Sequence, residues 1–470
     1  MAGTKGKGST SAFISSILRQ YTSDISPQAK ASLHKIGLYT SPHLQSVRER
    51  IQINGEPIPE PMFAKYFFEV WDRLEIFPAD KASDICPPPP AKPVYFRYLT
   101  LMAFHTYVCE GVDTAVIECG IGGEYDSTNI LVTPTVGAVT SLGIDHTAVL
   151  GNTIEDIAWH KAGIFKSTTK SGAAYTVDSQ PPTAMAVLKE RAHAAGITLH
   201  PVSRHPDIES GTIQLGLSAD FQKTNASLAV AVAAKHLQTM GVTAELLDSQ
   251  NTPLPDRFMR GLETTQWGGR CEVRKEGKNL VWHLDGGHTI ESIRLAAQWF
   301  ATCIASSSQK NQNRVLLFNQ QTRDAPALAK TLHQALKEAL VPVAGTASTS
   351  EHTQEAPLFT HAYFSTNITF ASSPDASTTS GGRYKADLIS MNTSSADVSA
   401  LTVQTSLAEV WTELDAGTEV GVMGTIEEAI QTVRKMASAK GEEVMVLVTG
   451  SLHLVGGVLE VLETVKPGLE

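Results

Sequence analysis

Short apolar runs that alternate with helical patterns constrain the fold of this 470-residue chain more than any other feature. Five of these runs have the pattern of buried strands, at residues 114–118, 136–142, 280–285, 315–319 and 444–449. Strands separated by helices form parallel sheets with crossover connections. Polar and glycine residues follow the runs, and ligands bind at the carboxyl edge of such open sheets. The sequence therefore predicts an α/β protein with a ligand site at its strand ends.

A glycine-rich loop with an embedded lysine opens the chain, and an apolar helical pattern follows at once. Glycines let successive backbone N–H groups turn toward an anion, and the helix N-terminus adds its positive dipole. Lys7 supplies a full charge where triphosphate oxygens would lie. The pattern indicates ATP binding, and the alternative is a flexible glycine turn that caps an ordinary helix. The loop residues are Gly3, Thr4, Lys5, Gly6, Lys7, Gly8 and Ser9.

Composition excludes several classes of protein. The chain is 42% hydrophobic and long enough for two or more domains. Its formal net charge of −10 argues against a nucleic-acid binder, which normally shows a basic excess. The five cysteines form no Cys-x-x-Cys pair, so neither a disulfide framework nor a zinc site is indicated. No apolar run approaches the ~20 residues that cross a bilayer. We expect a globular enzyme in a reducing compartment.

A stretch containing Pro and Gly over residues 252–269 is the expected domain boundary. We place an N-terminal domain at residues 1–262 and a C-terminal domain at residues 263–470. Phosphate-binding loops lie between a buried strand and a helix, yet only Met1 and Ala2 precede Gly3. We therefore expect the first strand to be missing. An upstream extension of about ten residues that reads as an apolar strand is expected to give a more stable and more active protein.

Three further side chains are candidates for chemistry. Glu118 ends a predicted strand at a glycine-rich turn, which suits a magnesium ligand as well as it suits a surface residue or a helix cap. His146 follows the next predicted strand, where a hydrogen-bonded structural histidine is the more frequent case. Lys161 lies on a helix that begins at a capping box of Thr153 and Asp156. Its ammonium would be repelled by magnesium, so these residues alone favour a solvated lysine.

Six motifs in register make the chain resemble the folylpolyglutamate synthases of the Mur ligase superfamily. They are the loop at 3–9, YTSPHL at 39–44, ECGIGG at 118–123, SLGIDHT at 141–147, KAGIFK at 161–166 and DGGHT at 285–289. The match covers nearly the whole chain, and the eukaryotic form is the closer fit. The resemblance implies an N-terminal P-loop, Mur-ligase-like ATPase domain and a C-terminal Rossmann-like α/β domain.

The resemblance also implies an activity, a ligase of class EC 6.3.2.17 that uses ATP to add L-glutamate to the γ-carboxyl of reduced folates through an acyl phosphate. The alternatives are a P-loop small-molecule kinase and a nucleotide-binding protein impaired by an incomplete N-terminus. Implied ligands are ATP, two Mg²⁺ ions, a monovalent cation, tetrahydrofolate polyglutamates and glutamate. A monomer in the cytoplasm or mitochondria is expected, without nucleic acid or a transmembrane segment.

Site residues carry over from the family position by position. Lys7 and the loop amides would hold the ATP phosphates, with Ser9 at the Walker-type hydroxyl position. Ser41 and Glu118 match residues that bind one magnesium ion, and Glu118, His146 and Lys161 match those around a second. Lys161 also matches a lysine that the family carbamylates, which would turn a repelled cation into an anionic oxygen ligand.

Other matches lie further along the chain. Asn225, Arg270 and Asp285 correspond to residues that contact ATP, and His288 and Arg323 to residues near the incoming glutamate and the reacting phosphate. One departure lies close to the first of these, because Phe221-Gln222 replaces a histidine-containing pair.

Overall fold

The computed structural model describes residues 1–22, 33–75, 92–166, 172–242, 253–307, 313–321, 323–340, 356–370, 400–440 and 443–465. The chain divides into two compact units, residues 1–267 and 268–470. The domain boundary predicted after residue 262 falls within the helix Asp256–Glu263 of the first unit. The roles predicted for the two domains stay predictions. Within the described ranges, no helix has both the length and the hydropathy of a membrane span.

Unit 1 (residues 1–267) contains two sheets of short strands. The first sheet has the order β3-β2-β1-β4, with β1 and β4 parallel and the other pairs antiparallel. Its strands are β1 (Ile36–Tyr39), β2 (Ile51–Ile53), β3 (Glu56–Pro57) and β4 (Thr114–Ile117). The second sheet is parallel and has the order β5-β6-β7. Its strands are β5 (Val136–Val139), β6 (Ala173–Val177) and β7 (Leu199–Val202).

Met1 and Ala2 form a short extended segment between these sheets. Met1 pairs with β4 and donates its N–H to the Ile117 carbonyl at 2.7 Å. Ala2 pairs with β5 in parallel and donates its N–H to the Ala138 carbonyl at 2.9 Å. The glycine loop follows directly at Gly3, so the loop leaves the sheets from between β4 and β5.

Helices cover both faces of β1. Ile36 and Leu38 pack into a core built largely from the helices Lys7–Arg19, Asp220–Thr239 and Asp256–Glu263, while Tyr39 packs with the helices Glu60–Glu75 and Tyr95–Glu110. This alternation follows from the two-residue period of a strand. The helix bounds are α1 (Lys7–Arg19), α2 (Glu60–Glu75), α3 (Tyr95–Glu110), α4 (Thr147–Leu150), α5 (Ile154–Ala162), α6 (Pro182–Ala194), α7 (Pro206–Glu209), α8 (Asp220–Thr239) and α9 (Asp256–Glu263).

Unit 2 (residues 268–470) is built on one six-stranded sheet of order β12-β11-β10-β13-β9-β8. Its strands are β8 (Glu272–Glu276), β9 (Leu280–Leu284), β10 (Asn313–Phe318), β11 (His361–Ser365), β12 (Glu419–Met423) and β13 (Val444–Thr449). Only β8 pairs antiparallel among them. The helices are α10 (Ile290–Ser306), α11 (Ala325–Leu340), α12 (Thr402–Leu414), α13 (Ile426–Lys440) and α14 (Leu452–Thr464). The predicted α/β fold is confirmed, and each of the five predicted runs coincides with a strand.

Candidate active site

Four extended segments of unit 1 end side by side, and predicted site residues follow each of them. Ser41 lies two residues after β1, and Glu118 directly follows β4. Gly3 follows the Met1-Ala2 segment, and the loop that carries His146 follows β5. Because β1 runs parallel to β4 and Ala2 runs parallel to β5, the loops of each pair leave from the same strand ends. This is the edge at which open α/β sheets bind ligands.

The glycine loop leads into an uncapped helix N-terminus. Gly6 is the N-cap of α1 at φ 87°, without a side-chain cap, and the Thr10 N–H donates to its carbonyl at 2.8 Å. The amides of the first turn before Thr10 therefore have no acceptor within the helix. Together with the helix dipole they favour an anion. The amides of Thr4 and Lys5 serve a different purpose, since both donate to the Ser141 carbonyl, at 3.0 and 3.1 Å.

Two lysine side chains meet at the carbonyl oxygen of Gly3. The Nζ of Lys161 donates to it at 2.9 Å and the Nζ of Lys7 at 3.1 Å. Lys161 is only 3% exposed. Burial, and after it the charge of Lys7, lowers the pKa of the Lys161 amine to about 7. A solvated surface position for Lys161 is therefore wrong, and the site holds an amine that is substantially neutral near neutral pH and thus nucleophilic.

Glu118 is a buried carboxylate beside a serine. It is 3% exposed, and its Oε2 accepts a hydrogen bond from the Ser41 N–H at 3.3 Å. Carboxylate and hydroxyl oxygens are the hard donors that magnesium prefers, and a carboxylate taken out of water needs compensating positive charge or donors. The two residues therefore fit a magnesium ion. The Lys161 amine does not add an oxygen ligand for magnesium. An anionic carbamate formed on its Nζ would add one.

His146 lies on an exposed loop at the start of α4. It adopts φ 53° as the N-cap of that helix, and its N–H donates to Asp145 Oδ1 at 2.9 Å. Asp145 also accepts a charged hydrogen bond from Lys5 Nζ at 3.4 Å. These contacts tie the loop after β5 to the glycine loop. The role of His146 as a metal ligand stays a prediction.

Close backbone packing places Lys161 at this site. The predicted capping box of Thr153 and Asp156 is present at the start of α5. At the other end of α5, a Cβ on Gly123 would lie 2.7 Å from the His160 carbonyl oxygen and 2.8 Å from that of Lys161. Only glycine permits this approach, because neither oxygen belongs to a side chain that can move aside. The glycine-rich turn after β4 thus supports the helix that carries the buried lysine.

Gln222 belongs to a chain of buried hydrogen bonds beneath the glycine loop. In the sequence this residue stands out only as a departure from the family pattern. Gln222 donates to Ser9 Oγ at 3.2 Å and accepts from Asn225 Nδ2 at 2.9 Å. A Cβ on Gly6 would lie 2.3 Å from Asn225 Oδ1, so the glycine loop packs directly against the Asn225 side chain. Asn225 thus contacts the loop, and Gln222 joins it to Ser9 of α1. The contact of Asn225 with ATP stays a prediction. Gln222 and Asn225 are three residues apart on one helix, and this spacing in the sequence indicates that their side chains are neighbours.

Unit 2 has its own polar strand edge, where Asp285 follows β9. Its Oδ1 accepts the Gly287 N–H at 2.9 Å, and its Oδ2 accepts the Cys271 N–H at 3.0 Å. Burial raises the pKa of Asp285, and the charge of Arg270 opposes that rise. The carboxylate therefore joins the residue before β8 to the loop that follows β9 in this structure. Its contact with ATP stays a prediction, as does that of Arg270.

The other two predicted residues of unit 2 lie on loops at the same strand edge. The Nδ1 of His288 lies 2.8 Å from the Gly286 carbonyl oxygen, and the His288 N–H donates to Ser292 Oγ at 3.0 Å. Arg323 is exposed on the loop that follows β10. The strands β9, β13 and β10 are neighbours in one parallel sheet, so their carboxyl ends share an edge.

Fold and site together define an α/β protein with a glycine-rich, lysine-containing loop at the strand ends of unit 1 and with a second α/β unit. The same fold occurs in the folylpolyglutamate synthase of Mycobacterium tuberculosis complexed with ADP and AMPPCP. The TM-score is 0.67 at 22% identity, over 99% of this chain and 91% of that one. It also occurs in Escherichia coli FolC in complex with DHPP and ADP. There the TM-score is 0.63 at 22% identity, over 98% and 87% of the two chains.

Curated relatives identify the family. Folylpolyglutamate synthase of Saccharomyces cerevisiae strain FostersO is 45% identical over 469 residues, which are 99% of this chain and 77% of the relative. The protein of strain YJM789 matches with the same identity and coverage. No family model matches the chain. At this identity and coverage, the chain belongs to the folylpolyglutamate synthase family, which confirms the resemblance found in the six motifs.

Proposed function

We propose that this chain is an ATP-dependent ligase that joins L-glutamate to the γ-carboxyl of reduced folates. Its family is named for this activity, and the E. coli neighbour was solved with DHPP and ADP. The structural observation that carries the proposal is the convergence of Lys7 and the buried Lys161 on the Gly3 carbonyl, beside an uncapped helix N-terminus. That arrangement suits a polyphosphate and supplies a reactive amine.

The glycine loop would bind the ATP phosphates. The first-turn amides of α1 and the Lys7 ammonium provide hydrogen bonds and positive charge, and Ser9 adds a hydroxyl. Glu118 and Ser41 would hold Mg²⁺, which supplies further charge neutralisation to the phosphates when bound. The contact of the loop with Asn225 would keep the loop in the cradle conformation. In unit 2, Arg270 and Asp285 would contact the nucleotide.

The reaction would proceed in two steps. A carboxylate oxygen of the folate attacks the γ-phosphorus of ATP, the bond to the bridging oxygen breaks, and ADP leaves. The amine of glutamate then attacks the resulting acyl phosphate, loses a proton and expels inorganic phosphate, which leaves an amide. Protein residues contribute by positioning and by neutralising charge in such transfers. Lys7 would serve the first step, and Arg323 and His288 would serve the phosphate and the incoming glutamate.

Lys161 would act as a carbamate. Its neutral Nζ attacks CO₂ and releases one proton, which converts the amine into an anionic group with two oxygens. The pKa of about 7 makes this reaction accessible near neutral pH. The carbamate, with Glu118 and His146, would bind a second magnesium ion. The family resemblance extends the proposal to a monovalent cation, a monomeric state and a cytoplasmic or mitochondrial location.

A mass-spectrometric assay tests this function. The protein is incubated with tetrahydrofolate, ATP, Mg²⁺ and glutamate, and the folate is followed over time. We expect successive additions of one glutamyl residue, each with one ADP and one phosphate. Without glutamate, hydroxylamine should trap the acyl phosphate as a hydroxamate. A stable phosphorylated folate would instead identify a kinase, and ATP binding without turnover would identify a binding protein.

Glu118→Ala tests the metal assignment in the same assay. Loss of the buried carboxylate should suppress glutamylation strongly while the protein remains folded. Glu190→Ala, at an exposed position on α6, is the matched control and should retain the original rate. Glutamylation at an unchanged rate in Glu118→Ala would show that the magnesium assignment is wrong, even where the ligase activity itself is present.

A further inference from the structure

A glutamate, a histidine and a cysteine meet between two helices of unit 1, and the proposed ATP and magnesium sites use none of them. Glu69 lies on α2, and His105 and Cys109 lie on α3. One carboxylate oxygen of Glu69, one ring nitrogen of His105 and the sulfur of Cys109 all lie within 4.8 Å of one another. We call these three residues the α2–α3 cluster.

The helical repeat brings two of the three residues together. His105 and Cys109 are four residues apart on α3, so their side chains lie on one face of that helix. The Cys109 Sγ lies 3.7 Å from both ring nitrogens of His105. Glu69 completes the cluster from 36 residues away in the sequence, with its Oε2 2.6 Å from His105 Nε2. A search of the sequence for paired cysteines misses this arrangement, because its members come from two helices.

The imidazole of His105 is held in one orientation. Its side chain is only 12% exposed, and the Tyr66 ring packs edge-on against it with the ring centres 5.4 Å apart. The Nη1 of Arg73 lies 3.3 Å from His105 Nδ1. Because arginine can only donate hydrogen bonds, Nδ1 is the acceptor of this contact and the ring proton lies on Nε2. In this arrangement the Nε2 of His105 faces the Glu69 carboxylate.

Charge at the cluster favours a cation. The hydrogen bond with His105 is the main cause that lowers the pKa of Glu69, which is therefore an anion. Cys109 lies in the last turn of α3, where the helix dipole attracts positive charge. The charges of Lys65 and Arg73 also act on Glu69. A metal ion at His105 must therefore displace the exposed Arg73 side chain.

The donor set favours zinc over magnesium and calcium. Thiolate, imidazole and carboxylate are the ligands that zinc takes, whereas magnesium and calcium take oxygen ligands. Zinc bonds of about 2.0–2.3 Å place tetrahedral ligand atoms about 3.3–3.8 Å apart. The distance between Cys109 and His105 fits this range, and Glu69 must withdraw from His105 by roughly 0.7 Å. The Glu69 side chain is 37% exposed, so it has room to do so.

We propose that the α2–α3 cluster binds one Zn²⁺ ion through Glu69, His105 Nε2 and Cys109 Sγ, with water as the fourth ligand. The zinc–sulfur bond forms as the thiol proton of Cys109 passes to solvent, and the ring proton of His105 moves from Nε2 to Nδ1. The carboxylate and the thiolate then balance the two positive charges of the ion. Three protein ligands and a water define an open site, so the ion exchanges with solvent while it links α2 to α3.

A zinc titration of the full chain tests the proposal. The protein is kept reduced with a phosphine in excess Mg²⁺, which occupies sites made of oxygen ligands alone, and Zn²⁺ is added in competition with a chromophoric chelator. We expect one zinc ion per chain and a higher melting temperature, because an ion that binds the folded state stabilises it. Co²⁺ in place of Zn²⁺ should give the intense near-ultraviolet absorption of a cobalt–thiolate bond.

Cys109→Ser identifies the sulfur ligand. The position is exposed, so the change does not threaten folding. Zinc affinity should fall by more than the about 10–100-fold that loss of a residue supporting a ligand costs. The cobalt–thiolate absorption should disappear. Cys303→Ser, at a half-buried cysteine of α10 in unit 2, is the matched control and should keep both signals.

Arg73→Gln tests the ligation geometry in the opposite direction. The guanidinium keeps His105 Nδ1 as an acceptor, whereas zinc on Nε2 requires Nδ1 to carry the proton. Glutamine removes a positive charge and offers an oxygen to that N–H, so zinc should bind several times more tightly. Arg97→Gln, at an exposed arginine near the other end of α3, should leave the zinc affinity unchanged.

Three results would overturn the proposal. The first is the absence of stoichiometric zinc binding in the presence of excess Mg²⁺. The second is unchanged zinc affinity in Cys109→Ser, which would place the ion at another site. The third is weaker binding in Arg73→Gln than in Arg97→Gln, which would exclude ligation through His105 Nε2.

Discussion

At the scale of the residue, Lys161 shows how a fold changes the chemistry of a side chain. The same lysine on a solvated helix would be a cation at any physiological pH. Here it is 3% exposed and shares the Gly3 carbonyl with a second ammonium, and its pKa falls to about 7. Burial and a neighbouring positive charge both disfavour the protonated form. The environment therefore favours the neutral amine that carbamylation requires.

This pKa predicts how stability depends on pH. Between pH 7 and the ordinary lysine value of 10.5, the unfolded chain keeps a proton that the folded chain has released, so the free energy of unfolding rises with pH. The rise due to Lys161 from pH 7 to pH 9 should be about 2 kcal/mol. Lys161→Met should remove it, as denaturant titrations in CO₂-free buffer will measure. Lys189→Met, at an exposed lysine of α6, should keep it.

Lys161→Ala tests the role proposed for the same residue in catalysis. Glutamylation should fall below detection while the circular dichroism spectrum stays native, because the carbamate oxygens would be absent. A short carboxylate such as acetate, added with bicarbonate, should restore part of the rate by filling the vacated space. Full activity in Lys161→Ala would contradict the carbamate assignment.

At the scale of the element, backbone approaches that only glycine allows hold the site loops against their helices. The turn after β4 packs against the end of α5 at Gly123, and the loop before α1 packs against α8 at Gly6. Both contacts join segments distant in sequence. Lys161 and the glycine loop are therefore positioned by how closely the backbone at each glycine approaches a neighbouring helix.

Gly123→Ala should disturb the site without changing any polar group. Its Cβ would lie under 3.0 Å from two backbone oxygens of α5, so the turn or the helix must shift. Overpacking of this kind costs about 1–3 kcal/mol. We expect a lower melting temperature and a lower rate of glutamylation. Gly424→Ala is the control, because its Cβ would meet nothing closer than the Glu428 carboxylate at 3.5 Å, and it should leave both measurements unchanged.

At the scale of the whole molecule, each of the two units holds a histidine that its surroundings desolvate, His236 half-buried in unit 1 and His283 buried in unit 2. His236 in unit 1 and His283 in unit 2 both have a pKa lowered to about 4, chiefly by burial. A desolvated neutral imidazole must take up a proton in acid, and its surroundings resist that charge. Mild acid should therefore weaken both units, each through its own residue.

The sign of this effect follows from linkage. Below pH 6.5 the unfolded chain binds a proton at each histidine and the folded chain does not, so stability falls as pH falls toward 4. Between pH 7 and pH 5 each histidine should account for a loss of about 2 kcal/mol. His236→Gln should reduce the loss in unit 1 and His283→Gln that in unit 2, as urea titrations combined with hydrogen exchange will show. An equal loss of stability in the original protein, in His236→Gln and in His283→Gln would show that these histidines do not cause the sensitivity to acid.

The fold class and much of the element order could be predicted from the sequence, because a strand or helix is encoded in neighbouring residues. The five apolar runs are strands in the structure, because a short apolar run between turn residues typically forms a buried strand. The family could also be predicted from the sequence, because each of its six motifs consists of a few neighbouring residues. The roles of Ser41, His146, Arg270, His288 and Arg323 stay predictions, because their chemistry depends on partners that the sequence does not name.

The sequence by itself determined the α/β fold, the glycine loop and the membership of the folylpolyglutamate synthase family. Only the tertiary structure decided that Lys161 is buried and bonded to Gly3, 158 residues away along the chain. It also decided that Gln222 links Ser9 to Asn225. Local patterns specify elements, but the burial and the pKa of a side chain arise from the order in which distant strands pair. That order is a property of the packed chain and of no single segment.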